Sequence, residues 1–210
     1  MIEYREAYSS ELKEIAKMVA ESFGEYPMYT LTFRDKFKNR EDFISYITKL
    51  NKVHISANAR KHKCFVGVND GKIVSVALLQ NPNIKRISLW NYIVSGGISL
   101  LFPVGFKRLI DFFNISNIAH KACEEKHNDA WYIELLAVNP GYKGQRLGSK
   151  MINECLIPYC KAQGASELAL ITNTQGNYKF YEKNGFKNFA YDKLNWKDKY
   201  IDNFSFVKNI

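Results

Sequence analysis

The residues best equipped for chemistry lie between Trp131 and Phe186. The strand-like run WYIELLAVNP carries one carboxylate, Glu134. It is followed by the basic turn GYKGQRLGSKMI, by LALIT, and by NTQGNYKFYEKNGF, which holds a phenol at Tyr181. Asn139-Pro140-Gly141 ends the first run, because proline removes a ladder donor and glycine admits unusual backbone angles. Backbone N–H groups from 143 to 149 are then left free at a helix N-terminus, where the helix dipole favours an anion. Gly144 and Gly148 let the main chain approach a ligand closely, while Leu147, Met151, Cys155 and Leu156 form a buried helical stripe. Such a turn suits the pyrophosphate of a cofactor whose reactive end lies along the preceding strand.

The same residues carry a family resemblance. AVNPGYKGQRLGSKM is similar to the acyl-CoA signature of the GNAT superfamily of N-acyltransferases, Gln/Arg-x-x-Gly-x-Gly/Ala after a strand ending in Val-x-Pro. It aligns here as Lys143-Gly144-Gln145-Arg146-Leu147-Gly148. Lys143 stands where Gln or Arg is usual, and Arg146 replaces the first signature glycine, which bears on close backbone approach there and offers another phosphate partner. Residues 177–186, NYKFYEKNGF, resemble the family's Asn-x-x-Phe-Tyr-Glu-Lys-x-Gly-Phe helix. The spacing to LALIT and a proline inside the preceding helix resemble the puromycin N-acetyltransferase-like branch. That branch often has Glu where this chain has Ile171, so its acceptor recognition is not carried over.

The resemblance implies acetyl transfer from acetyl-CoA to a primary amine by direct attack in a ternary complex. No cysteine occupies a recognisable nucleophile position. The implied CoA contacts are Leu136, Ala137, Val138, Lys143, Gly144, Gln145, Arg146, Leu147, Gly148, Ser149 and Asn177, with a main-chain N–H near Leu136 or Ala137 polarising the carbonyl. Tyr181 takes the place of the acid that protonates the departing sulfur, and a phenol stays protonated at neutral pH. Strand alternation puts Tyr132, Glu134, Leu136 and Val138 on one face. Among apolar neighbours the Glu134 carboxyl is expected to have a raised pKa and to relay the amine's proton through water; alternatively it anchors a cationic acceptor or meets a structural Lys or Arg. Phe23, Tyr26, Tyr29, Trp90 and Tyr92 are assigned to the acceptor wall. His54, His62, His120 and His127 show no metal-ligand spacing and receive no role, and no metal is expected.

These groups must be positioned by the elements around them. A weak strand over 2–7 precedes a helix capped by Ser9 or Ser10 and running to Phe23, and Tyr26-Pro27-Met28-Tyr29 reads as an aromatic loop. A second helix spans 35–60, with Phe43, Ile44, Ile47, Leu50 and Val53 on one side. Strands at 64–68 and 73–79 flank Asn69-Asp70-Gly71, a hairpin turn. Helix is expected over 100–126, and the region 83–128 is read as a variable acceptor-side insertion. Strand, helix, strand and helix follow from Trp131, with Pro158 kinking or ending the first of these helices, and antiparallel strands at 186–191 and 204–208. The expected fold is α+β: one GNAT domain over 1–210, its central mixed sheet splayed between strands 4 and 5, with helices on both faces.

Hydrophobic residues make up 46% of the 210 and aromatics 14%, enough for a core and against disorder. The net charge of +9 asks for an acidic partner, but no dense basic run marks a nucleic-acid arm. Residues 87–106 are interrupted by Asn91, serines, a Gly-Gly pair and Pro103, so no membrane partner is expected. Cys64, Cys123, Cys155 and Cys160 lack CxxC spacing, as in a cytoplasmic protein with reduced thiols. The expected partners are acetyl-CoA and an amine, a small molecule before a peptide or protein, and a homodimer is allowed. The competing assignment is a non-catalytic acyl-CoA-binding sensor on the same fold.

Overall fold

A computed structural model describes residues 2–210. Seven strands form one sheet in the order β1-β2-β3-β4-β5-β7-β6. Strand β1 (Glu3–Glu6) pairs with β2 (Lys63–Asn69), which turns through Asp70 and Gly71 into β3 (Lys72–Gln80). Both turn residues have positive φ, 48° and 73°, as a two-residue hairpin requires. Between β1 and β2 lie α1 (Leu12–Phe23), α2 (Pro27–Phe33) and α3 (Arg40–Ala59). The expected serine cap is not used: Glu11 reaches back to accept from the Tyr8 N–H at 2.7 Å. The expected aromatic loop is largely the helix α2, because Pro27 occupies the first helical position, where its missing N–H costs nothing.

After β3 the chain forms two short helices, α4 (Leu89–Val94) and α5 (Leu101–Val104), before the long α6 (Phe106–Lys126). Strand β4 (Trp131–Val138) leads into α7 (Leu147–Lys150), a π turn over Met151–Leu156 and α8 (Ile157–Ala162). Pro158 therefore does not end the helix. The wide turn just upstream pairs the Ile157 N–H with the Ile152 carbonyl, five residues back, and the proline needs no donor of its own. Strand β5 (Glu167–Thr172), α9 (Gln175–Lys183), β6 (Lys187–Trp196) and β7 (Lys199–Asn209) complete the chain, the last two longer than expected.

Two features of β4 shape everything near it. It pairs parallel with β5 only at Trp131↔Leu168 and Tyr132↔Ala169, after which the two strands diverge. This is the expected splay, with β4 and β5 as its arms. Against β3, Leu78 faces Leu135 but Leu79 faces Ile133, so Glu134 is an unopposed extra residue. Such a bulge re-aims a side chain and reverses which residues face each side. Leu136 thus packs with Trp131 and Ile133 in the core under α7 and α8, whereas Leu135 and Ala137 pack against Ile15, Val19 and Ile55 of α1 and α3. The expected shared face of Tyr132, Glu134, Leu136 and Val138 is corrected accordingly.

Candidate active site

The turn after β4 is held in a fixed shape. The Asn139 side chain accepts from the Gly141 N–H at 3.0 Å, while its own N–H donates to the Val74 carbonyl at 2.9 Å. Ser22 of α1 donates to the Val138 carbonyl at 2.5 Å, tying the strand end to the opposite wall. Gly144 and Arg146 both sit in the left-handed region, at φ 85° and 57°. Alternating backbone handedness turns successive N–H groups toward one concavity, an anion nest. Arg146 adopts the conformation that glycine enters without cost, and it lines the groove from there.

A groove of about 960 Å³ opens beside this turn. Of the sequence-assigned cofactor residues, Leu136, Ala137, Val138, Lys143, Gly144, Arg146, Leu147, Gly148, Ser149 and Asn177 line it. Gln145 does not: its side chain is exposed and lies outside the lining. A β-carbon on Gly148 would come within 3.0 Å of the Phe180 ring and 3.7 Å of Val138. This glycine therefore sets how closely α7 approaches α9. Gly148→Val is expected to raise the dissociation constant for CoA at least tenfold, about 1.4 kcal/mol, measured by calorimetry; an unchanged affinity would remove the turn from the CoA site.

Tyr181 projects from α9, whose first turn is capped by Thr174 accepting from the Asn177 N–H at 3.2 Å. The capping is done by Thr174, so the Asn177 side chain stays directed to the cavities. Its far end is closed by the Phe186 N–H donating to the Tyr181 carbonyl at 3.1 Å. The Tyr181 ring packs against Phe180, Phe186 and Phe206, and burial raises its pKa well above that of a free phenol.

A second cavity, of about 150 Å³, lies on the far side of Tyr181. Phe23, Tyr26, Tyr29 and Tyr92 line it, joined by Phe112 and Phe113 from α6. Trp90 does not. It is 68% exposed on the outer side of α4, the same short helix that turns Tyr92 inward. Tyr26 also has a structural task. Its hydroxyl accepts from the Asn173 N–H at 2.9 Å, just past the end of β5, and so satisfies a donor close to where the sheet splays. The groove and the cavity share Phe23, Tyr26, Leu136, Asn177 and Tyr181. They adjoin along these five residues.

Glu134 sits in the cavity wall with two imidazoles, which the sequence reading left without a role. Its Oε1 is 3.2 Å from His54 Nε2 and its Oε2 is 3.2 Å from His120 Nε2. His120 Nδ1 is 2.6 Å from the Ser116 carbonyl oxygen, and His54 Nδ1 is 3.0 Å from the Tyr92 hydroxyl. The two His120 nitrogens thus face a carboxylate oxygen on one side and a main-chain carbonyl on the other. His54 has the Glu134 carboxylate at one nitrogen and the Tyr92 hydroxyl at the other. Burial alone would raise the Glu134 pKa, but the histidines, His120 foremost, hold it well below the usual carboxylate range. The expected raised pKa is thus reversed. The sequence did carry a signal: His54 follows Phe43, Ile47 and Leu50 at core-facing helical spacing, and His120 precedes Cys123 in the same way. A search for metal-ligand spacing within one segment cannot see groups that meet across α3, α6 and β4.

Residues 104–188 match a family model described as an acetyltransferase (GNAT) domain. The chain has the GNAT fold. Solved structures share it along the whole chain. Polyamine N-acetyltransferase from Drosophila melanogaster superposes with TM-score 0.65 at 12% identity, covering 100% of each chain. PaiA N-acetyltransferase from Thermoplasma acidophilum, solved with coenzyme A, gives 0.57 at 16%, covering 100% of this chain and 99% of that one. The ribosomal-protein-S18-alanine N-acetyltransferase from Escherichia coli gives 0.55 at 15%, covering 100% and 94%. No curated protein matches the sequence. Among the described residues, no cluster of His, Cys, Asp and Glu has the form of a metal site, and no helix is long and apolar enough to cross a membrane.

Proposed function

We propose that the chain transfers an acetyl group from acetyl-CoA to a small-molecule primary amine by direct attack in a ternary complex. The observation that carries this reading is a groove beside the glycine-rich turn that adjoins an aromatic cavity along Tyr181 and its neighbours. The family match, and the amine-acetylating names of proteins sharing the fold, support it. Acetyl-CoA, when bound, supplies the activated thioester. The N–H groups around 143–149, with Lys143 and Arg146, are assigned its diphosphate.

Beyond Tyr132 the β4 edge facing β5 is unpaired, so N–H groups of alternating residues face the gap, where one near Leu136 or Ala137 polarises the carbonyl. Tyr181 donates its proton to the departing sulfur. Glu134 is not the proton acceptor, because both its oxygens hold imidazole N–H groups. The amine's proton passes instead to Tyr92 as the Tyr92 proton moves to His54 Nδ1, and Glu134 stabilises the imidazolium that forms. The aromatic walls and small volume favour an amine on a compact apolar body.

Thiol release measured with acetyl-CoA and a panel of aryl- and alkylamines tests the proposal, with turnover expected for at least one compact apolar amine. CoA binding without thiol release for every amine tried would mark an acyl-CoA sensor instead.

A further inference from the structure

The segment linking β3 to α6 has an unusual surface. No Asp or Glu occurs from residue 71 through 110, and residues 87–106 carry no charge at all. Basic pairs stand at both ends, Lys85-Arg86 and Lys107-Arg108. Its inner side supplies Tyr92, Leu100, Val104 and Leu109 to the core over α3. Its outer side is apolar too. Trp90, Val94, Ile98, Phe102 and Phe106 recur at every fourth position and all face solvent, Phe102 at 87% exposure and Trp90 and Phe106 at 68%. A water-facing side would normally be polar, and large exposed apolar surface marks an interaction site.

We propose that this outer face docks on an anionic lipid surface, lying in the interface without crossing it. Charge decides the occupant. Trp and Phe between basic residues suit the boundary of headgroups and acyl chains, and the chain's net charge of +9 draws it toward anionic lipid. In a symmetric pair of copies, the like-charged ends of the patch would approach each other. Arg86 and Lys107 have acidic partners, Glu124 and Asp111, but these are exposed pairs of little strength that a phosphate readily replaces. Arg108 is largely buried and committed to Asp35 and the Thr32 carbonyl, so it serves the fold. Gly96 and Gly105, both at positive φ, break the run into short pieces. The proposal departs from the expectation of no membrane partner.

The chain carries its own reporter. Trp131 and Trp196 are buried, so a change in tryptophan emission on adding vesicles reads Trp90. Vesicles containing phosphatidylglycerol should shift the emission to the blue and carry the full-length protein down in sedimentation. Phosphatidylcholine vesicles should do so more weakly, and added salt should reverse the difference. Phe102→Ser with Phe106→Ser should weaken binding at least tenfold, the equivalent of losing buried aromatic area, while far-UV circular dichroism and CoA affinity stay unchanged. Lys85→Glu with Lys107→Glu should abolish the preference for the anionic vesicles. No sedimentation with anionic vesicles, binding that survives the phenylalanine replacements, or a concentration-dependent dimer that those replacements dissolve would each overturn the assignment.

Discussion

Tyr181→Phe is expected to lower kcat by at least about 100-fold, the lower range for removing a positioned general acid, while leaving the dissociation constant for acetyl-CoA within about twofold. The asymmetry follows from the site. The ring packs against Phe180, Phe186 and Phe206, and phenylalanine keeps those contacts. Only the proton needed by the departing sulfur is lost. Since burial raises the phenol's pKa, Tyr181 keeps its proton well into the alkaline range, and an alkaline fall in the wild-type rate should not trace to this residue. Steady-state kinetics with calorimetric CoA binding measures both quantities. An unchanged kcat would remove the acid role.

Glu134→Gln should affect both fold and rate. The carboxylate is 11% exposed and is the anionic partner of both His54 and His120. Glutamine removes the anionic partner of two buried histidines, which costs about 3 kcal/mol and is read as a lowered midpoint in urea unfolding. At temperatures where the variant stays folded, kcat should fall by about 100-fold or more, because His54 loses the anion that stabilises it as it takes the proton. His54→Ala should lower kcat comparably with a smaller stability loss, since it leaves the His120–Glu134 pair intact.

The sign of the acid dependence is fixed by the lowered Glu134 pKa. Its contribution to stability is complete above about pH 4.5, the value of a free carboxyl, and drains away as acid protonates the folded group. Wild type should therefore lose stability below that pH more steeply than Glu134→Gln. Equal slopes would mean that the carboxylate is not held in its charged form.

Much of this architecture was readable from the chain because its signals are local. Asn69-Asp70-Gly71 between alternating apolar runs fixes a hairpin, and the order strand, turn, helix, strand, helix from Trp131 restricts β4 and β5 to a parallel pairing. The bulge at Glu134 was not readable. It arises from how β4 meets β3, and nothing in YIELLAV distinguishes a regular strand from one with an extra residue. A regular strand would set Leu136 beside Glu134, whereas the bulge sends Leu136 to the opposite core and leaves Glu134 facing two histidines. Those histidines come from α3 and α6, 66 positions apart in sequence, and only tertiary packing joins them. Trp90 and Tyr92 look equivalent in the sequence, yet a short helix with two apolar sides sends one inward and the other to the surface.

The π turn over Met151–Leu156 has a consequence of phase. One residue in excess of a regular helix rotates everything downstream by about 100° about the axis. That rotation lets Tyr159 meet Phe65 and Trp131, at ring distances of 4.9 and 5.7 Å, and seals Cys160 in the core. Deleting a single residue from the turn would make the helix more regular by local rules, and would swing the neighbouring lysine toward the space these side chains fill.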